Sequence, residues 1–156
     1  MEEPFPEAPG LRTVADYQFG RGAGEALFPR GGQLRVKRSS SDRVAQVHAD
    51  GDRLVTFSTD GRFTLGLAGG RRLADALAAP SNRVVVGEES EPFVRDGKNA
   101  FAKFVREVDP AVRPGDEVLV VNQSGLLAVG RAELPATAMA DFDSGVAVKV
   151  REGAED

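Results

Sequence analysis

The chain has 156 residues, of which 41% are hydrophobic, with nine Phe, one Tyr and neither Trp nor Cys. This length suits one ordinary domain or two small ones, and the hydrophobic fraction is too high for a disordered chain. The lack of cysteine excludes a disulfide framework, a zinc knuckle and a thiol nucleophile, and the single histidine, His48, excludes a multi-histidine metal site. We therefore expect no metal and no cofactor, and we interpret His48 as an exposed strand residue.

The charge pattern is unusual because lysine is rare. The net charge is −4, and 16 of the 20 basic residues are arginines; the lysines are Lys37, Lys98, Lys103 and Lys149. Such a composition is typical of adaptation to high salt or of a GC-rich genome, and both explanations stay open. A negative net charge argues only weakly against nucleic-acid binding, since local charge placement matters more.

The N-terminus has no basic region followed by an apolar stretch, and no apolar segment approaches the roughly 20 residues that span a bilayer. We expect a cytoplasmic protein that does not bind membranes.

The first half of the chain predicts a small α+β domain at residues 11–80. Residues 1–10 contain three Pro and three Glu and predict a flexible arm. Residues 13–27 have helical spacing that weakens near Gly20, with Thr13 or Asp16 as candidate caps. The period then changes to two, and turn residues such as Asp-Gly separate the strands, which predicts an antiparallel meander at 34–38, 43–48, 53–58 and 62–67. A short helix at 73–77 and a linker at 79–82 follow.

The second half, residues 83–151, predicts a small β-barrel that carries short helices. Strands are predicted at 84–86, 101–105, 117–121, 126–134 and 145–151. Helices are predicted at 91–95 and 135–142, the second with Pro in its first turn. Residues 152–156 read as an acidic tail. Many short strands with regular turns are typical of such barrels, so the fold class is α+β.

A search for catalytic motifs finds neither a Gly-x-x-x-x-Gly-Lys-Ser/Thr loop nor a Gly-x-Ser-x-Gly elbow. The glycine-rich segment 20–24 does not follow a strand, so it is a poor phosphate loop. No pair of carboxylates is distinguished by its spacing. We therefore assign no catalytic residue, and an enzyme with an unrecognised active site stays open as an alternative.

Residues 93–105 form the most informative stretch. A short helix is expected to end at Gly97, which tolerates positive φ, so that Lys98 and Asn99 lie on a tight loop. Lys98 offers a phosphate contact, and Asn99 offers hydrogen bonds to a base edge or a ribose. Alternation along the next strand puts Phe101 and Lys103 on one face and Ala102, Phe104 and Arg106 on the other. A plain helix stop followed by an amphipathic strand is the alternative interpretation.

These residues carry a resemblance. Residues 83–151 resemble a PUA domain, the module named after pseudouridine synthase and archaeosine transglycosylase, through segments 83–86, 94–105, 113–121, 127–132, Met139 and 145–151. Residues 12–82 resemble the domain that precedes PUA in archaeosine tRNA-guanine transglycosylase, through 14–20 and 60–65. The whole chain resembles the C-terminal, pre-PUA plus PUA, half of that family without the catalytic domain.

The resemblance implies a non-catalytic RNA-binding protein. It implies binding to structured RNA, with tRNA acceptor stem or 3′ end as the expected ligand and no role for DNA. The chain would act as accessory to a separately encoded tRNA-modification enzyme; a translation-associated factor that binds tRNA or the ribosome is the alternative. The RNA-binding residues that the resemblance implies are Gly97, Lys98, Asn99, Ala100, Phe101, Ala102, Lys103, Arg131, Lys149 and Arg151.

A second basic strand lies in the first half. Alternation puts Arg35 and Lys37 on one face, with Leu34 and Val36 opposite. A solvated strand face and a second RNA contact are both open interpretations.

Overall fold

The computed structural model describes residues 3–155, which form two compact units that divide between Leu77 and Ala78. None of the helices in the described part of the chain is long and apolar enough to cross a membrane.

The first unit is an antiparallel four-stranded sheet with helices packed on one face. Its elements are α1 (Ala8–Phe19), α2 (Ala23–Leu27), β1 (Arg35–Arg38), β2 (Val44–Ala49), β3 (Asp52–Phe57), β4 (Phe63–Leu65) and α3 (Leu67–Ala76). The strands pair in chain order, β1-β2-β3-β4, which confirms the predicted meander. Val47, Val55 and Leu65 are partners across the sheet and are fully buried, so they build the core side of the sheet.

The helices of this unit differ from the prediction in their bounds. α1 begins at Ala8 rather than Thr13, because Pro9 occupies its first turn, where a missing N–H costs nothing. Neither Thr13 nor Asp16 caps it; Asp16 Oδ1 instead accepts a hydrogen bond of 2.7 Å from the Gly24 amide in α2. α3 begins six residues before the predicted start, because Gly69 lets the helix approach β3 where a Cβ would collide with the Leu54 carbonyl.

The N-terminal residues 3–10 are packed, contrary to the flexible arm that their Pro and Glu content suggested. Phe5 is buried with its ring edge-on to Phe28, at a centroid distance of 6.1 Å. Glu3 forms an ion pair of 2.6 Å with Arg12. Burial of the Phe5 ring and the Glu3–Arg12 ion pair stabilise this segment despite its Pro and Glu content. The expectation for His48 is also corrected, because this side chain is half-buried in β2.

The second unit is a barrel-like sheet of six strands, which confirms the predicted architecture. Its elements are β5 (Arg83–Val86), α4 (Glu91–Arg95), β6 (Ala100–Phe101), β7 (Val105–Val108), β8 (Glu117–Asn122), β9 (Gly125–Ala132), α5 (Ala136–Asp141) and β10 (Val146–Gly153), with 3-10 helices at Glu88–Ser90 and Ala102–Phe104. The strand order is β6-β10-β9-β8-β5-β7, in which β5 and β8 are parallel. Its core is rich in Val and Ala, with Leu127 and Met139 as its largest members.

The predicted continuous strand at 101–105 is wrong. The chain must cross from β6 at one edge of the sheet to β7 at the other edge, and the 3-10 helix Ala102–Phe104 makes this turn. The Ala102 amide donates to the Gly145 carbonyl at 2.9 Å, which fixes the start of the turn. The expected alternation of faces along 101–106 is therefore lost.

The segment 152–156 is also corrected where the structure describes it. β10 continues to Gly153, and the buried Ala154 donates its amide to the Leu127 carbonyl at 2.7 Å. Arg95 Nη1 donates to the Ala154 carbonyl at 3.0 Å. These backbone partners make residues 152–154 part of the barrel rather than an acidic tail.

Candidate nucleic-acid interface

The turn between α4 and β6 is built by a glycine helix stop. Gly97 has φ of +90°, and a Cβ there would meet nothing within 4 Å, so the position needs backbone freedom rather than space. The Gly97 amide donates to the Val94 carbonyl at 3.0 Å, and the Lys98 amide donates to the Phe93 carbonyl at 2.9 Å. These two bonds close the helix end and leave the Lys98 side chain exposed.

Asn99 ties this turn to the last strand. Its Oδ1 accepts a hydrogen bond of 3.1 Å from the Val150 amide in β10. The next residue, Ala100, pairs with Val148, and both are buried. The carbonyl half of the Asn99 side chain thus holds the fold, so only its NH₂ group is left to meet a ligand.

An aromatic groove opens beside the turn. Its volume is about 490 Å³, and it is lined by Ser90, Phe93, Val94, Lys98, Asn99, Phe101 and Phe104. Phe93 and Phe101 are 62% and 44% exposed, and both line the groove. The groove therefore leaves a large apolar surface in contact with solvent. Exposed aromatic rings of this kind can stack on flat ligands.

Ser90 contributes an unsatisfied polar atom to the groove. The residue is only 4% exposed, and its Oγ is buried without a hydrogen-bond partner among residues 3–155. Ser90 stands at the N-cap position of α4, yet its side chain makes no cap hydrogen bond. A buried hydroxyl without a partner is destabilising by about 1–3 kcal/mol.

Most arginines of this unit are paired with carboxylates, whereas its lysines are not. Four arginines form ion pairs: Arg95 with Glu91, Arg106 with Glu89, Arg131 with Glu133 and Arg151 with Glu117. Within the described chain, Lys98, Lys103 and Lys149 have no carboxylate partner. Lys103 Nζ lies 5.1 Å from the centroid of the Phe104 ring, at the wall of the groove.

Residues 3–155 contain no group of three or more His, Asp or Glu side chains that could hold a metal ion.

Comparison with known proteins assigns both units. Residues 10–80 match the model of the patch-forming domain C2 of tRNA-guanine transglycosylase, and residues 82–154 match the PUA domain. The chain consists of a C2 domain followed by a PUA domain.

The similar proteins are archaeal and much longer. The chain is 47% identical to a tRNA-guanine(15) transglycosylase of Pyrococcus furiosus over 148 residues, which is 94% of this chain and 25% of that protein. It is 49% identical to the enzyme of the same name from Thermococcus kodakarensis over 147 residues, 93% of this chain and 25% of that protein. The chain therefore spans about a quarter of the length of the curated relatives that it matches, in their C-terminal half.

Two solved structures share the fold of both domains. A hypothetical protein from Pyrococcus horikoshii OT3 superposes with a TM-score of 0.74 at 20% identity, covering 96% of this chain and 91% of that one. A conserved PUA domain protein from Thermoplasma acidophilum gives 0.67 at 21% identity, covering 97% and 93%. At such identities the likeness concerns the fold alone.

The predicted site residues do not all come together. Lys98, Asn99 and Phe101 line the groove, and Lys103 adjoins it. Gly97 is exposed at the turn, whereas Ala100 and Ala102 are core residues whose side chains have no outward surface.

The strand residues of the predicted site lie outside the groove lining. Arg131 and Lys149 are partners on β9 and β10, and Arg151 forms a bidentate pair with Glu117 at 2.6 and 2.7 Å. The Glu117 and Glu133 carboxylates thus neutralise both arginines.

Sequence reasoning missed four groove residues, of which Val94 is a buried wall residue. Phe93 and Phe104 belong to the stretch that was singled out, and an aromatic next to Lys98 or Lys103 was an available signal. Ser90 gave no signal, because a serine before a helix ordinarily caps it.

Proposed function

We propose that the PUA domain binds structured RNA, with tRNA as its ligand, at the groove and the turn that contains Gly97. The observation that carries the proposal is the groove itself, where three phenylalanine rings, two unpaired lysines and a buried hydroxyl without a partner lie together. A protein of net charge −4 that keeps its lysines free of carboxylates at this place leaves positive charge available to an anion.

Each group suits a different part of a nucleic acid. Lys98 and Lys103 would contact phosphates, which position the RNA without reading its sequence. The rings of Phe93, Phe101 and Phe104 would stack on an unpaired base, whatever its identity. Ser90 Oγ and the Asn99 NH₂ group would form hydrogen bonds with the base edge, and these carry the selectivity of the site.

We further propose that the RNA is the 3′ end of tRNA and that the partner is a tRNA-modification enzyme. The names of the relatives support tRNA, and an unpaired 3′ end beside an acceptor stem fits a groove that takes one base next to phosphate contacts. The chain would then hold tRNA for a separately encoded modification enzyme and would perform no catalytic step itself. Sequencing of RNA crosslinked to the protein in cells tests this: free tRNA is expected, and ribosomal RNA in its place would contradict the accessory role.

The binding surface is tested by removing its charge. Lys98→Ala/Lys103→Ala should weaken binding to bulk tRNA and reduce the salt slope by about two units, one for each lost phosphate contact. Affinity is measured across a salt series against the wild type. Arg71→Ser/Arg113→Ser is the matched control, since it removes two exposed arginines outside the groove. Equal affinities and slopes for wild type and the lysine variant would overturn the proposed surface.

A further inference from the structure

The outer face of the C2 sheet carries cationic side chains on β1 and β3, with His48 of β2 between them. Arg35 of β1 is the partner of His48 of β2, and His48 is the partner of Arg53 of β3. In the next row Lys37 is opposite Gln46, which continues to Thr56 and Thr64. Side chains two residues apart share a face, so both rows point away from the buried Val47 and Val55.

Side-chain contacts verify that these groups lie together. Arg53 Nη1 donates a hydrogen bond of 3.0 Å to Thr56 Oγ1, which brings its guanidinium onto the outer face although β3 is irregular there. His48 Nε2 lies 2.8 Å from Gln46 Oε1. Arg35 and Lys37 are exposed and have no carboxylate partner within residues 3–155.

The electrostatics of His48 reflect the positive side chains around it. Burial lowers the pKa of His48, and the positive charges of Lys37, Arg53 and Arg35 lower it further. Asp52, at the start of β3, is the carboxylate that opposes them.

Protection of the edge strand β1 against pairing with another chain does not explain where the charges lie. Charged side chains on an edge strand discourage pairing with another chain, and β1 is an edge strand. That role requires charge only on β1, whereas the guanidinium of Arg53, on the inner strand β3, also lies on this face. An anionic ligand spread over the face accounts for the charges on both strands.

We propose that this outer face of the C2 sheet is a second RNA-binding surface, on which Arg35, Lys37, Arg53 and His48 receive the phosphodiester backbone. The inference rests on the proposed function, since it requires that the chain binds RNA. Arg35 and Lys37 are about 7 Å apart along the strand, which suits neighbouring phosphates of one strand. Gln46, Thr56 and Thr64 add hydrogen-bond donors between the charges. A flat face of this composition reads no base, so it should bind RNA without regard to sequence.

His48, the single histidine of the chain, is a direct probe of RNA binding to this outer face. The imidazole proton resonances of His48 are followed by NMR through a pH titration, with and without saturating bulk tRNA, in the full chain. Phosphates beside the ring should raise the His48 pKa, since an anion favours the charged imidazolium. An unchanged His48 pKa and unchanged resonances at saturation would overturn the proposal.

Charge removal separates this surface from the groove. Arg35→Ser/Lys37→Ser should reduce the salt slope of tRNA binding by about two units, whereas Arg71→Ser/Arg113→Ser should not. The Arg35→Ser/Lys37→Ser variant should unfold at the same or a higher denaturant concentration than wild type, which a structural role would not allow. If it binds tRNA like wild type while Lys98→Ala/Lys103→Ala is impaired, the second surface is disproved and the proposed function stands. If wild type itself does not bind tRNA, both fail.

Discussion

The groove of the PUA domain and the outer sheet face of the C2 domain are two positive surfaces built in different ways. The groove places two lysines beside three rings and a buried hydroxyl, on a helix stop and a 3-10 turn. The sheet face spreads Arg35, Lys37, His48 and Arg53 over three strands and presents no aromatic ring in these rows. Irregular backbone can therefore form a groove of the size of a single base, whereas a sheet face offers an open array of charges.

Removal of the exposed rings from the groove should reduce RNA affinity more than the other substitutions do. Phe93→Ala/Phe101→Ala should cost about 1–3 kcal/mol of binding for each stacked base, that is, roughly 5-fold to 150-fold in affinity. The loss should occur with RNA that has an unpaired 3′ end and should be small with a blunt RNA duplex. Arg35→Ser/Lys37→Ser should instead weaken both RNAs equally.

Phe142 supplies the control, because it is 50% exposed and lies outside the groove. Phe142→Ala removes a comparable exposed ring and should leave both affinities unchanged. Equal losses from Phe93→Ala/Phe101→Ala and Phe142→Ala would contradict stacking in the groove.

The buried hydroxyl of Ser90 is a second feature that the groove has and the sheet face lacks. Ser90→Ala should keep or raise the free energy of unfolding, because it removes a buried polar atom that has no partner in the fold. Binding of RNA with an unpaired end should weaken by about 0.5–1.5 kcal/mol, the net value of one hydrogen bond. Denaturant unfolding and RNA affinity are measured on the same variant. A clear loss of stability would reveal that Ser90 serves the fold rather than the ligand.

The architecture was predictable wherever local signals agree with the fold. Asp50-Gly51 and Asp60-Gly61 mark two of the turns of the C2 sheet, and Asp50, Gly51 and Gly61 indeed have positive φ. Gly97 ends α4 in the same way. These positions depend on backbone sterics, which the residue type alone reveals.

The remainder depends on contacts between distant residues. The 3-10 turn after Phe101 exists because β6 and β7 lie at opposite edges of one sheet, which no short window of sequence contains. Arg151 looks like an available cation in the sequence, and only the fold brings Glu117 to it. The unsatisfied Oγ of Ser90 likewise becomes visible only when its surroundings are known.

The pH dependence of stability gives the smallest expected effect, and it bears on the sheet face alone. The pKa of His48 is lower in the folded protein than its ordinary value, so the unfolded chain binds this proton more readily. The stability that neutral His48 contributes is therefore complete above its ordinary pKa and is lost as pH falls through the folded value. His48→Gln cannot titrate and should unfold with a shallower dependence on pH over this window.

Urea unfolding of wild type and His48→Gln at a series of pH values measures this difference. Arg35→Ser/Lys37→Ser should also make the dependence shallower, since it removes two of the positive charges that disfavour protonation of His48. Neither change touches the groove, so RNA with an unpaired end should still be preferred over a blunt duplex by both variants. Parallel pH profiles for all three proteins would mean that the charges on the outer face do not act on His48.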